Sequence, residues 1–159
     1  MTITITLNSD CIHNLDLSPA QTVIETWLQE GAITSHEQQL RFEINYAREA
    51  DDPRELSEIP EIRLWFIRLD ARYPWLPLLL DWKAGELGRY TAMLVPHEFN
   101  RKSGIQYNPE ALEIFVMHKT FILMDWMKSQ GIQGKSSVKS MTQLLGYELE
   151  DAFFDFIAD

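Results

Sequence analysis

Two runs of strict apolar–polar alternation and several stretches of helical spacing organise this chain. From Thr2 to Leu7, isoleucine or leucine alternates with threonine, the period of a half-buried strand. Leu40, Phe42, Ile44 and Tyr46 repeat the pattern, with Arg41, Glu43 and Asn45 on the opposite side. Between the two, Val23, Ile24, Trp27 and Leu28 form one helical stripe. Ser18 offers a cap, Pro19 suits the first turn, Gln21 follows three residues on and Gly31 ends the stripe.

The stretch from Glu61 to Asp70 is apolar on both sides. Ile62, Leu64 and Phe66 fill one face of an extended chain and Trp65, Ile67 and Leu69 load the other, which predicts a central strand. Prolines at 74 and 77 favour a short helix with Pro77 in its first turn, leading to a fourth strand around Arg89 to Val95. A long helix is predicted from Asn108-Pro109 to about Gln130, followed by helices at 137–145 and about 148–157. The sum is one α+β domain over residues 1–159: a small, mostly antiparallel four-stranded sheet packed against a long helix, with short C-terminal helices. At 159 residues such a domain buries roughly 70% of its unfolded surface and needs no covalent staple.

Charge changes the picture because it is placed and not spread. Glu49, Asp51, Asp52, Glu55, Glu58 and Glu61 stand against Arg54 alone, and Glu148, Glu150, Asp151, Asp155 and Asp159 close the chain without a base after Lys139. These two segments account for the whole formal charge of −10. Nucleic acid and anionic membranes would repel a chain of pI near 4.8, whereas a basic protein surface would attract it. The N-terminal residues have no positive charge ahead of an apolar run, so no signal peptide is expected. The most apolar window, 111–127, contains Glu113, His118, Lys119 and Asp125, so it reads as a buried helix and not a membrane span.

Candidate chemistry is sparse. A single cysteine, Cys11, excludes an internal disulfide, and His13, His36, His97 and His118 form no pair at metal-ligand spacing, so neither metal nor cofactor is expected. Gly134-Lys135-Ser136 lacks the first glycine of a phosphate loop and follows a helix, which leaves a serine at 136 or 137 as a helix cap and Lys135 as a loop residue. His97 and Glu98, at a strand end, are the best acid–base candidates, although a polar loop after a strand is the favoured reading of both. The tryptophans that follow the acidic stretch suggest an alternative to catalysis. Trp75 and Trp82 as apolar anchors, rimmed by Asp51, Asp52, Glu55 and Glu58, have the composition of a partner-binding site.

Three segments carry a family resemblance: DDPRELSEIPEIRLWFIRLDARYPWLP at 51–77, GIQYNPEALEIF at 104–115 and LGYELEDAFFD at 145–155. They resemble the chlororespiratory reduction six family of cyanobacteria and chloroplasts, over nearly the whole chain. The resemblance implies a non-enzymatic assembly factor for the photosynthetic NAD(P)H dehydrogenase, acting on the peripheral-arm subunit that carries two iron–sulfur clusters. It implies a cytoplasmic protein in cyanobacteria and a stromal one in plants. It supplies no active-site residues. A small hydrolase or transferase built on His97 and Glu98, and a constitutive structural subunit, are the alternatives.

Overall fold

The computed structural model describes residues 2–158. The N-terminal alternation forms β1 (Ile3–Asn8), which runs into a short helix α1 (Ser9–His13) and then α2 (Ser18–Gln29) before β2 (Leu40–Asn45). Because α2 carries the chain back across, β2 lies parallel to β1, in the register Ile3↔Leu40 to Asn8↔Asn45. Ile5, Leu7, Leu40 and Phe42 point inward, and the threonines of β1 with Arg41 and Glu43 face solvent, as the alternation predicts. Ser18 begins α2 without capping it, and the Asp16 carboxylate accepts the Ser18 N–H instead.

The expected four-stranded sheet is absent among the described residues. There are two sheets of two strands, one parallel and one antiparallel. The predicted central strand is helix α3 (Pro60–Arg72). Pro60 occupies its first turn, where a missing N–H costs nothing, and Ile62, Trp65, Phe66 and Leu69 are buried at the i, i+3, i+4, i+7 spacing of one helical face. Leu64, which a strand would have buried beside Ile62, is 46% exposed. The predicted fourth strand is helix α4 (Glu86–Leu94), buried on most sides, so its apolar run carried no usable period. Pro77 lies in a short 3-10 turn, Leu76–Leu78, and a second turn spans Trp82–Ala84.

The polar stretch expected as a loop at 96–102 belongs to a hairpin, β3 (His97–Asn100) with β4 (Gly104–Tyr107). Asn100 Oδ1 accepts the N–H groups of Lys102 and Ser103 to close its turn. Helix α5 (Pro109–Ser129) begins as predicted, with Asn108 Oδ1 accepting the Ala111 N–H at 3.0 Å. Helices α6 (Lys135–Leu144) and α7 (Asp151–Ala158) complete the chain. The expected serine cap of α6 is replaced by Gly134, and His118 is exposed on α5.

Phe42, Trp65 and Phe66 meet edge to face, with ring centroids 5.2–5.7 Å apart, and join the β1–β2 pair to α3. Trp65 Nε1 donates to the carbonyl of Asp16 at 2.8 Å, which satisfies its polar edge within the core. Helix α4 runs antiparallel to α3. Arg63, near the start of α3, donates to the Met93 carbonyl at the end of α4, while Asp70, near the end of α3, meets Tyr90. Helix α4 also serves β2 directly: Glu86 Oε2 accepts the Phe42 N–H at 3.3 Å and Arg89 donates to the Phe42 carbonyl at 3.1 Å. Burial raises the Glu86 carboxyl above its ordinary range, against the pull of Arg89.

Candidate functional site

Beyond β2 the acidic segment forms a tightly bonded turn. Arg54 folds back so that its Nε and Nη2 reach both carboxylate oxygens of Asp52 at 2.7–3.1 Å, and Asp52 Oδ1 also accepts the Arg54 N–H at 3.0 Å. Arg48 donates to the carbonyl of Arg54. Glu55 and Glu58 form a reciprocal capping box around the 3-10 turn Leu56–Glu58: the Glu55 side chain accepts the Glu58 N–H, and Glu58 Oε2 accepts the Glu55 N–H at 2.8 Å. Three of the four acids singled out by sequence therefore shape the turn itself. The side chains of Asp51, Glu49 and Glu61 are exposed and take no part in its hydrogen bonds.

The Arg54 guanidinium holds the Asp52 carboxyl down at about 2, with help from the Arg54 backbone N–H. A depressed folded pKa means that the clamp stabilises the turn above the ordinary aspartate value of 3.8 and is lost as pH falls through about 2. A carboxyl-detected NMR titration should therefore place Asp52 near pH 2, and Arg54→Ala should return it toward 3.8. A wild-type midpoint already at 3.8 would show that the clamp is absent in solution.

The turn is tied to the hairpin through a contact that no sequence signal announced. Ser57 Oγ lies 2.9 Å from His97 Nε2, and His97 Nδ1 lies 3.0 Å from the Val95 carbonyl. A carbonyl only accepts, so Nδ1 carries the proton and Nε2 of the neutral ring accepts from the Ser57 hydroxyl. Ser57 is buried. Glu98, the expected partner of His97, is the next residue along β3, and neighbouring strand residues point to opposite faces. It is exposed and lies opposite Gln106 across the hairpin. The two acid–base candidates thus leave the strand on opposite sides, although both line one shallow surface pocket with Gln106 and Tyr107.

The tryptophans lie elsewhere. Helix α3 has 13 residues, about 20 Å of axial rise, with the acidic turn before its first residue and Trp75 beyond its last. Leu80, just before Trp82, bridges to Leu40 at the start of β2, whereas the acidic stretch follows the end of that strand. The expected acidic rim around an aromatic centre is therefore not assembled. Nor is Trp75 an exposed anchor: it is 4% exposed and stacks on Trp126, with centroids 5.0 Å apart and planes at 25°. The pair walls a pocket of about 190 Å³ with Ile33, Glu37 and Leu79. Trp82 is half-buried and donates from Nε1 to the Pro77 carbonyl at 2.8 Å.

The second acidic segment is partly neutralised on the spot. Lys135 and Lys139 of α6 reach Asp155 and Asp151 of α7 at 2.8 and 2.7 Å. Lys135, expected in a loop, is the first residue of α6. Asp159 lies outside the described residues. Deeper in the fold, Asp70 accepts from both the Lys119 ammonium and the Tyr90 hydroxyl, and the ammonium stands over the Tyr90 and Phe115 rings at 5.6 and 5.8 Å. Burial pulls the Lys119 pKa down, with Asp70 opposing, and pushes the Tyr90 hydroxyl well up.

These elements define a mixed α/β protein that offers its charge on a preorganised acidic turn. No described helix is long and apolar enough to cross a membrane. The chain belongs to the Chlororespiratory reduction 6 family, whose model matches residues 7–156. It is a family of assembly factors, and membership is consistent with a role in biogenesis of the NAD(P)H dehydrogenase complex. No solved structure matches the chain.

Proposed function

We propose that this protein is a non-enzymatic assembly factor that holds a peripheral-arm iron–sulfur subunit while the photosynthetic NAD(P)H dehydrogenase is built. Family membership supplies the process. The observation that carries the contact is the acidic turn, where the Asp52–Arg54 clamp and the Glu55–Glu58 capping box fix the backbone and leave Glu49, Asp51 and Glu61 outside those bonds. Charge held in one arrangement steers a basic partner without first having to be ordered.

Because Asp52, Glu55 and Glu58 also hold the turn, reversing them would confuse steering with misfolding. The cleaner variant is Glu49→Lys, Asp51→Lys and Glu61→Lys together. Its association rate with the isolated iron–sulfur subunit, followed by stopped-flow fluorescence, should fall about tenfold at low salt. The wild-type rate should fall as salt shortens the reach of exposed charges to about 8 Å at physiological ionic strength. If Glu148→Lys with Glu150→Lys slows association while the triple variant does not, the contact belongs to the C-terminal segment instead.

The enzyme alternative has one observation in its favour, the Ser57–His97 bond, which has the reach of a nucleophile and its base. A hydrolase would lose its activity on His97→Gln, whereas the assembly role tolerates that change if the hairpin stays docked.

A further inference from the structure

Helix α3 departs from the usual pattern of a surface helix. Its inner face is apolar, yet the centre of its outer face is apolar too: Leu64 and Ile67 are 46% and 45% exposed, and Ala71 continues the stripe one turn on. Charge flanks this stripe, with Arg68 exposed beside Leu64 and Ile67, but the stripe itself is apolar, and an apolar stripe on a surface helix is ordinarily turned to a core. The same two-sided composition made this segment resemble a buried strand in sequence, and within the chain only one side is covered. Glu61 is exposed one turn before Leu64, and the acidic turn immediately precedes the helix.

We propose that the outer face of α3 is a docking surface for a basic amphipathic helix of a partner protein, whose apolar side covers Leu64 and Ile67 while its lysines or arginines meet the acidic turn. This rests on the assembly-factor reading and relocates its apolar anchor from the tryptophans to α3. The arrangement matches a helix laid along an apolar stripe with charge complementarity at one end. The end of the surface at the turn fits a cationic partner because the turn and Glu61 hold six acids against Arg48 and Arg54, and Arg68 lies more than a turn further along α3, away from that end.

The test uses the full chain carrying Leu64→Ser and Ile67→Ser. Both side chains are half out in solvent, so circular dichroism and thermal unfolding should change little. Dissociation of the isolated iron–sulfur subunit should speed up at least tenfold, with the salt dependence of association unchanged. Unaltered dissociation, with association still sensitive to Glu49→Lys, Asp51→Lys and Glu61→Lys, would overturn the surface and leave the assembly reading standing. If the subunit does not bind wild-type protein, that reading fails, and a helical leucine–lysine peptide decides the surface. Its titration should shift the Leu64 and Ile67 methyl resonances, and a leucine–glutamate peptide should not. Shifts confined to the neighbourhood of Phe121 and Phe156 would refute the proposal. So would concentration-dependent self-association that the double serine variant abolishes, since the occupant would then be a second copy of this chain.

Discussion

Lys119→Met is expected to destabilise the protein by about 2–4 kcal/mol, somewhat below the cost of breaking a fully buried ion pair because Asp70 is partly exposed. Asp70, whose side chain is 21% exposed, would keep the Tyr90 hydroxyl as its sole protein donor in this network. Methionine fills much of the space that the lysine stem occupied, so cavity formation contributes little and the loss is chiefly electrostatic. Adding Asp70→Asn removes the stranded charge and keeps an acceptor for Tyr90, so the double variant should recover at least about 1 kcal/mol. Urea unfolding of the four proteins in a double-mutant cycle measures both quantities. Additive losses would mean that Lys119 and Asp70 do not interact energetically.

Trp75→Ala is expected to cost about 3–5 kcal/mol, because it removes a buried indole and extends the neighbouring pocket by the volume of a ring. Trp126 would lose its stacking partner, which contributes about 0.5–1.5 kcal/mol of that total. Trp75→Phe should retain most of the stability. Tryptophan fluorescence during denaturation reports directly, since Trp126 would become more solvated in the alanine variant before global unfolding. A change of less than 1 kcal/mol in the alanine variant would mean that this ring is more exposed in solution than its stacked position implies.

Where one period dominated, the sequence was readable. β1, β2 and α5 form where alternation or an Asn-Pro start marks them, because each has one clean inward face or a clear cap. Helices α3 and α4 were misread for the same reason: apolar residues on several sides erase the difference between periods of 2 and 3.6. In α3 the decisive clue was Pro60, which suits a first helical turn better than a strand start. The acidic segment was legible as charge but not as structure. Its capping box uses a glutamate where serine or threonine is usual, and the Arg54 clamp depends on a turn only two residues long. Contacts such as Ser57 with His97 and Asp70 with Lys119 join residues 40 and 49 positions apart, and no local pattern encodes them. The tryptophans were grouped by sequence proximity, and one helix was enough to carry them to the far end of the fold.

The pairing of Glu86 and Arg89 with Phe42 has a bearing on colloidal behaviour. A two-stranded parallel sheet leaves β2 with an outer edge, and Leu-Arg-Phe-Glu-Ile-Asn is the kind of segment that recruits a strand from another molecule. At Phe42 both backbone groups are already taken, by a carboxylate and a guanidinium from α4. An incoming strand would have to displace a charged donor and a charged acceptor together, at the point on the edge where the large apolar side chain sits. With the Leu40 N–H and carbonyl already bonded to Leu79 and Asp81, the helix closes the next position of the edge without adding a third strand to the sheet.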